Sequence, residues 1–252
     1  MAGSDTVQSV ERALDLLQAL AASDGGLRLS DLATRLELNT STAHNLVRTL
    51  SGRGFVVKGA GQRLRLGPAL AEMVTQEQER SLLQSASRVG LDLQRQFPEA
   101  NINVAEVVGD DLRVRLRISR DRPGMVQRPG NQISIYGSAV GLCVLACADQ
   151  ATVQHLRESH PYHENAANLW ASPEALAEHL AKARRTGHVL TPFPGQELWR
   201  VAAPVLAADG HFAAAFGLAL PIAEATAAAQ EAATAAVLQA AASLTNPTQE
   251  PA

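Results

Sequence analysis

The run LRLSDLATRLELNTSTAHNLVRTLSGRGFVVKGAGQRLRL, residues 27–66, constrains the fold more tightly than any other stretch of the chain. LRL reads as a short extended piece, and Ser30 as the cap of a helix through Leu36. Residues 37–40 make a tight turn, after which Asn39 or Thr40 caps a helix running to Leu50. Its buried stripe is Ala43, Leu46, Val47 and Leu50, and Gly52 or Gly54 ends it. FVVK and QRLRL, separated by GAG, then form a β-hairpin. An earlier helix, capped by Ser9, carries Val10, Ala13, Leu14, Leu17, Leu20 and Ala21 at helical spacing and stops at SDGG. Helix, short strand, helix, turn, helix, hairpin is the order of a winged helix-turn-helix.

Charge sharpens this reading. The whole chain has a net charge of −3, yet no acidic residue lies between Glu37 and Glu72, where Arg48, Arg53, Lys58, Arg63 and Arg65 fall. Acidic groups would repel phosphates, so a DNA-facing surface requires their absence. The second helix of the motif enters the major groove. Opposite its apolar stripe it offers Thr40, Ser41, Thr42, His44, Asn45 and Arg48. Hydroxyls near a helix start suit phosphates and base edges, Asn45 suits adenine, and Arg48 suits guanine or phosphate. Arg63 and Arg65 flank the duplex from the wing, with Lys58 and Arg53 nearby. The plainer alternative is a solvated basic face on a small helical domain.

The rest of the chain changes character. From Pro68 a helix carries Leu70, Met73 and Val74, turns polar at QEQERS, and resumes as an amphipathic stretch to Phe97. NINVAEVVG and LRVRLRIS form a second hairpin, followed by the loop RDRPGMVQRPGN. SAVGLCVLACA is a buried helix capped by Ser138, and DQATVQHLRES a polar one capped by Asp149. Ser172, Pro173 and Gly187 bracket a third helix. LWRVAAPVLA and HFAAAFGLAL are strands around ADG, and an Ala-rich helix from Pro221 to about Leu244 closes the pattern. Strands on both sides of a helical cluster predict an α+β domain with one mixed or antiparallel sheet. The expected divisions are 1–72 for the winged helix, 73–97 for a linker helix, 98–246 for the second domain, and a tail at 247–252.

Cys143 and Cys147 lie on one helix face and read as reduced core residues. No apolar run approaches the length of a membrane span, and the N-terminus lacks the pattern of a secretion signal, so a cytoplasmic protein is expected. His155, His160 and His163, with Glu158 and Glu164, form the one cluster that resembles metal ligands, although the spacing matches no zinc signature. A surface loop is the simpler reading. The alternatives to a regulator are a metal-dependent enzyme using that cluster, or a non-catalytic scaffold. No cofactor is expected.

TVQSVERALDLLQALAASDGGLRLSDLATRLELNTSTAHNLVRTLSGRGFVVK, RLRLGPALAEM, GSAVGLCVLA and VAAPVLAADGHFAAAFGLALP together resemble the IclR family of bacterial transcriptional regulators. The resemblance covers nearly the whole chain. It implies a homodimer, or a tetramer, on palindromic double-stranded operator DNA, and a GAF-like C-terminal effector domain that binds a small metabolite. Two departures bear on base reading: Asn45 stands where the family usually has Arg, and Leu64 replaces a wing Tyr.

The resemblance also implies a ligand between the sheet and the start of the helix SAVGLCVLA, at Ser138, Ala139 and Val140. Arg200, Gly217 and Ala219 would face it from strands, Met125 would approach from a loop, and Tyr136 stands where a His is common. Relatives that bind very small keto acids place an acid, a Cys and two Ser around the ligand. The equivalents here are Leu190 or Thr191, Arg200, Gly217 and Ala219, which implies a larger, more apolar pocket. The expected ligand is an organic acid with an apolar or aromatic body, its carboxylate near Arg200 and the helix start.

Overall fold

The structure is a computed structural model that describes residues 6–191, 193 and 195–245. The expected tail lies outside the described residues. The chain divides after Arg80 into two compact units.

In the first unit, α1 (Gln8–Ala21), α2 (Leu29–Arg35) and α3 (Thr40–Gly52) precede a two-stranded antiparallel sheet of β1 (Val56–Lys58) and β2 (Leu64–Leu66). Leu16 and Leu20 of α1, Leu32 of α2, Val47 of α3, Val56 and Leu64 form one core. Leu27 bridges to Leu64, so the LRL segment is extended at its first residue. Two expected caps are corrected. α1 begins one residue before Ser9, with Val7 at the cap position and no side chain serving it. α2 begins before Ser30, because the Asp31 carboxylate accepts the Arg28 N–H at 3.3 Å and fixes the helix start there.

Between α2 and α3 the chain reverses in four residues. The N–H of Glu37 reaches Thr34 O at 3.2 Å and that of Leu38 reaches Ala33 O at 2.8 Å, the pairing of a Schellman cap. Glu37 therefore sits at φ 52°, a region that favours glycine. Glu37→Gly is expected to stabilise this unit by roughly 0.5–1 kcal/mol, read as a higher midpoint in chemical denaturation. Asn39 then starts α3, its Oδ1 accepting the Thr42 N–H at 2.7 Å.

The linker, α4 (Pro68–Gln96), is a single unbroken helix, and the polar QEQERS segment does not interrupt it. In the second unit β3 (Asn101–Val108), β4 (Asp111–Ile118) and β5 (Val126–Gln127) are followed by α5 (Ala139–Cys147), α6 (Gln150–Ser159), α7 (Tyr162–Asn165) and α8 (Pro173–Thr186). β6 (Val189–Leu190), β7 (Leu198–Leu206), β8 (Phe212–Pro221) and α9 (Ala227–Thr245) complete it. The final helix starts six residues later than expected. Pro221 still pairs with Leu198 as strand, and Thr226 Oγ1 caps the helix by accepting the Ala229 N–H at 3.2 Å.

The sheet runs in the order β5-β4-β3-β8-β7-β6, with every neighbouring pair antiparallel. Alternation assigns its two faces. Val201, Ala203, Phe216 and Leu218 pack with Leu83, Ala86 and Leu93 of α4 and with Val237 and Ala241 of α9. Ala202 and Ala215 pack with Leu142 and Leu145 of α5 and with Leu176 and Leu180 of α8. Leu83, Ala86 and Leu93 of α4 are thus buried within the second unit, whereas Met73 and Val74 nearer its start are exposed. Val104 pairs with Leu116 while Ala105 pairs with Val114, so Arg115 is an extra residue in β4. That bulge decides which arginines of LRVRLRIS reach which face.

Candidate DNA-reading and ligand-binding sites

Asn39 caps α3 and points its first turns outward. Thr40, Ser41, His44, Asn45 and Arg48 are exposed, whereas Thr42 is half-buried. The Ser41 hydroxyl donates to Asn39 Oδ1 at 2.9 Å, so it already supports the cap. Positions 41, 44, 45 and 48 recur at helical spacing and share one face. Arg53 and Lys58 are also exposed. Two wing arginines also brace the fold, since Arg63 Nη1 donates to Gly26 O at 2.8 Å and Arg65 Nη2 to Gly25 O at 3.5 Å. They hold the hairpin to the SDGG loop while their charge stays at the surface.

In the second unit a cavity of about 360 Å³ opens on the α5 face of the sheet. Six of the expected residues line it: Ser138, Ala139, Val140, Arg200, Gly217 and Ala219. Ser138 Oγ accepts the Gly141 N–H at 3.0 Å and donates to Ser134 O at 2.7 Å. The N–H groups of Ala139 and Val140 have no acceptor among the described residues. These orphan donors and the helix dipole favour an anion there. Gly217 lets α5 approach the sheet, since a Cβ on it would lie 2.7 Å from Val140 Cγ1.

Arg200 is half-buried, and burial lowers its pKa from the usual value. Its guanidinium donates to the side-chain carbonyl of Gln196 and, at 3.5 Å, to Leu198 O. It does not pair with Glu197 or with any other carboxylate among the described residues. Two expected lining residues lie elsewhere. Tyr136 is buried in the core beneath α5, donates from its hydroxyl to His160 O at 3.0 Å, and packs edge-on against Tyr162. Burial accordingly pushes the Tyr136 phenol up. Met125 is 51% exposed at the surface.

Asn101, Asn103, Arg117 and Ser119 also line the cavity and were not expected. Arg117 Nε donates to Asn103 Oδ1 at 3.0 Å. The signal for Asn101 and Asn103 was the alternation of NINVAEVV, and for Arg117 that of LRVRLRIS, where the bulge at Arg115 had to be known before Arg117 could be placed on the cavity face.

The histidines near residues 155–163 pair with different acids, His155 and His163 at the surface and His160 half-buried. His155 Nε2 lies 2.7 Å from Asp110 Oδ1, His160 Nε2 lies 3.4 Å from Asp111 Oδ1, and His163 Nε2 lies 3.3 Å from Glu164 Oε1. Glu158 accepts from Gln154. Among the described residues no group of three or more His, Cys, Asp or Glu is arranged to hold a metal ion. Cys143 is buried and Cys147 half-buried, both as free thiols. Among the described residues no helix is long and apolar enough to cross a membrane.

Comparison with known proteins accounts for both units. Residues 9–59 match the IclR helix-turn-helix domain, and residues 76–246 match the C-terminal domain of the bacterial transcriptional regulator IclR. The HTH-type transcriptional regulator BhcR of Paracoccus denitrificans is 26% identical over 226 residues, covering 86% of this chain and 79% of BhcR. The transcriptional repressor IclR of Escherichia coli is 28% identical over 187 residues, covering 72% of this chain and 68% of its own. A crystal structure of an IclR homolog from Microbacterium hydrocarbonoxydans, complexed with 4-hydroxybenzoate, superposes with a TM-score of 0.50. It is 22% identical, and the match covers 94% of this chain and 97% of that one. A winged helix-turn-helix, a long linker helix and a six-stranded antiparallel domain, each matched in this way, make this chain a member of the IclR family of bacterial transcriptional regulators, which bind DNA through the helix-turn-helix.

Proposed function

We propose that the protein is a homodimeric repressor whose affinity for a palindromic operator is set by a small organic acid bound in the cavity beside α5. The observation that carries this reading is the convergence of a half-buried guanidinium, Arg200, with the unsatisfied helix start at Ala139 and Val140. Such a pair suits a carboxylate. The 4-hydroxybenzoate complex of the Microbacterium homolog, a carboxylate on an apolar ring, supports the same class of ligand. Repression is the direction named for the Escherichia coli relative.

On the DNA side, Thr40, Ser41, Thr42, His44, Asn45 and Arg48 would read or position the duplex, and Arg53, Lys58, Arg63 and Arg65 would meet phosphates. One winged helix reads few base pairs, whereas two related by a twofold axis double the contacts. A second copy has a surface to use: Val7, Val10 and Leu14 are 65%, 54% and 54% exposed along α1. Leu14→Arg is expected to leave the fold intact and convert a dimer to a monomer in sedimentation velocity. A dimer of unchanged stability would remove α1 from the interface.

Control follows from linkage: an acid that binds one operator-affinity state better than the other shifts the population toward it. The test is fluorescence anisotropy on the DNA upstream of the protein's own gene, with benzoate, 4-hydroxybenzoate or terephthalate. At least one is expected to weaken binding by roughly 5- to 150-fold, the usual range for such coupling. Superimposable curves with all three would contradict the effector reading.

A further inference from the structure

Opposite Arg200, across the cavity floor, stands a second guanidinium. Arg117 pairs in register with Asn103, Asn103 with Gly217, and Gly217 with Ala202; in the next row Asn101 pairs with Ala219 and Ala219 with Arg200. All of these residues point to the α5 face. Arg117 on β4 and Arg200 on β7 are separated by β3 and β8 and offset by one row, so their backbones lie roughly 16 Å apart at the usual strand spacing and rise. Long side chains reaching inward from both flanks leave room for a small molecule between them, over a floor of Gly217 and Ala219.

Neither arginine has a carboxylate partner among the described residues. Arg117, half-buried, donates through Nε to Asn103 Oδ1, and no carboxylate among the described residues lies within ion-pair distance of it. Its neighbours on the same strand differ: Arg113 pairs with Asp111 at 2.8 Å and Arg115 with Glu106 at 2.8 Å. Asp121 is the one acid lining the cavity, but its side chain is 82% exposed at the rim and lies 3.8 Å from Arg120. A partly desolvated guanidinium gains from an anion that offsets its lost hydration. Two of them at opposite ends, each held only by neutral oxygens, offer places for two anionic groups.

Resting on the effector reading above, we infer that the cavity takes a dicarboxylate with its acidic groups at opposite ends of a short apolar body. One carboxylate meets Arg200 and the start of α5. The other meets Arg117 and the amide N–H groups of Asn103, whose carbonyl oxygen is already used. Val140 over Gly217 supplies the apolar middle. A monocarboxylate would leave one guanidinium without a counter-ion. The plainer alternative, in which Arg117 serves only to brace Asn103, predicts no preference between one-ended and two-ended acids.

Isothermal titration of the full chain with matched pairs, benzoate against terephthalate and hexanoate against adipate, tests this directly. In each pair the body is the same and only the second carboxylate differs. The dicarboxylate is expected to bind at least about tenfold tighter in at least one pair, as a new charge-assisted bidentate contact implies. Arg117→Gln is expected to abolish that preference while keeping monocarboxylate affinity, Arg117→Lys to retain part of it, and Arg200→Gln to weaken both acids. Equal affinities within both pairs, or a preference that survives Arg117→Gln, would overturn the two-ended site and leave the effector reading standing. Binding of none of the four acids would overturn both. Unchanged melting and operator binding of the Arg117 variants distinguish a lost contact from a lost fold.

Discussion

Gly217→Val is expected to lower stability by about 1–3 kcal/mol, a fall of roughly 3–10 °C in the thermal midpoint, and to abolish acid binding. The reason lies in what surrounds the missing side chain. A Cβ at this position would stand 2.7 Å from Val140 Cγ1 and 3.3 Å from Val201 O, and the second contact is backbone in a neighbouring strand. Nor can α5 retreat easily. A Cβ on Gly141 would stand 2.4 Å from Ser134 O and 2.6 Å from Ile135 Cα, which shows how closely the helix backbone is seated on that segment. The added branch therefore occupies the cavity floor or displaces a helix whose residues Leu142 to Leu145 are buried. Gly217→Ala is the milder control, because a single methyl is partly offset by the reduced freedom of the unfolded chain. Differential scanning calorimetry of both variants, with titration of terephthalate, reads the two effects together.

The second large effect is expected on DNA. Asn45 and Arg48 are exposed one turn apart on α3, and no side-chain hydrogen bond or ion pair among the described residues restrains them. A good base contact is worth about 1–3 kcal/mol of discrimination. Asn45→Ala should thus weaken operator binding by roughly 5- to 150-fold while leaving non-specific binding nearly unchanged. Lys58→Ala, which removes the phosphate contact proposed for β1, should weaken binding to all sequences alike and reduce the salt slope by about 1. Arg48→Ala discriminates between its two roles by which of these patterns it follows.

Much of the fold was legible because short polar side chains announce helix starts. Asn39, Ser138, Asp149 and Ser172 each accept a backbone N–H from the first turn, as their place before an apolar pattern implied. Ser9 and Ser30 look the same in sequence but lie inside their helices. At α2 the Asp31 carboxylate, in the first turn, fixed the start instead, a competition that local sequence does not rank. The antiparallel sheet followed from hairpin-sized turns, but the short edge strands β5 and β6 were invisible, since two residues carry no periodicity.

The cavity was legible in unequal parts. Its helix start and the positions of Arg200, Gly217 and Ala219 came from resemblance, and the fold brings them to one face. Arg117 was hidden by one bulged residue, because a register shift of one reverses every side chain beyond it, whereas Asn103 shares the α5 face with Ala105 by the plain alternation of β3. Tyr136 failed for a different reason. A large aromatic beside a helix start can line a pocket or fill the core beneath it, and its hydroxyl bond to His160 O shows the second outcome.

The central claim is that α3 chooses an operator rather than merely holding DNA. A competition gel shift on the protein's own upstream fragment, with wild type and Asn45→Ala side by side in excess non-specific duplex, tests it most directly. Wild type is expected to keep the fragment shifted while Asn45→Ala releases it to the competitor. A wild-type shift erased by the competitor, or an Asn45→Ala protein that holds the fragment as selectively as wild type, would contradict it.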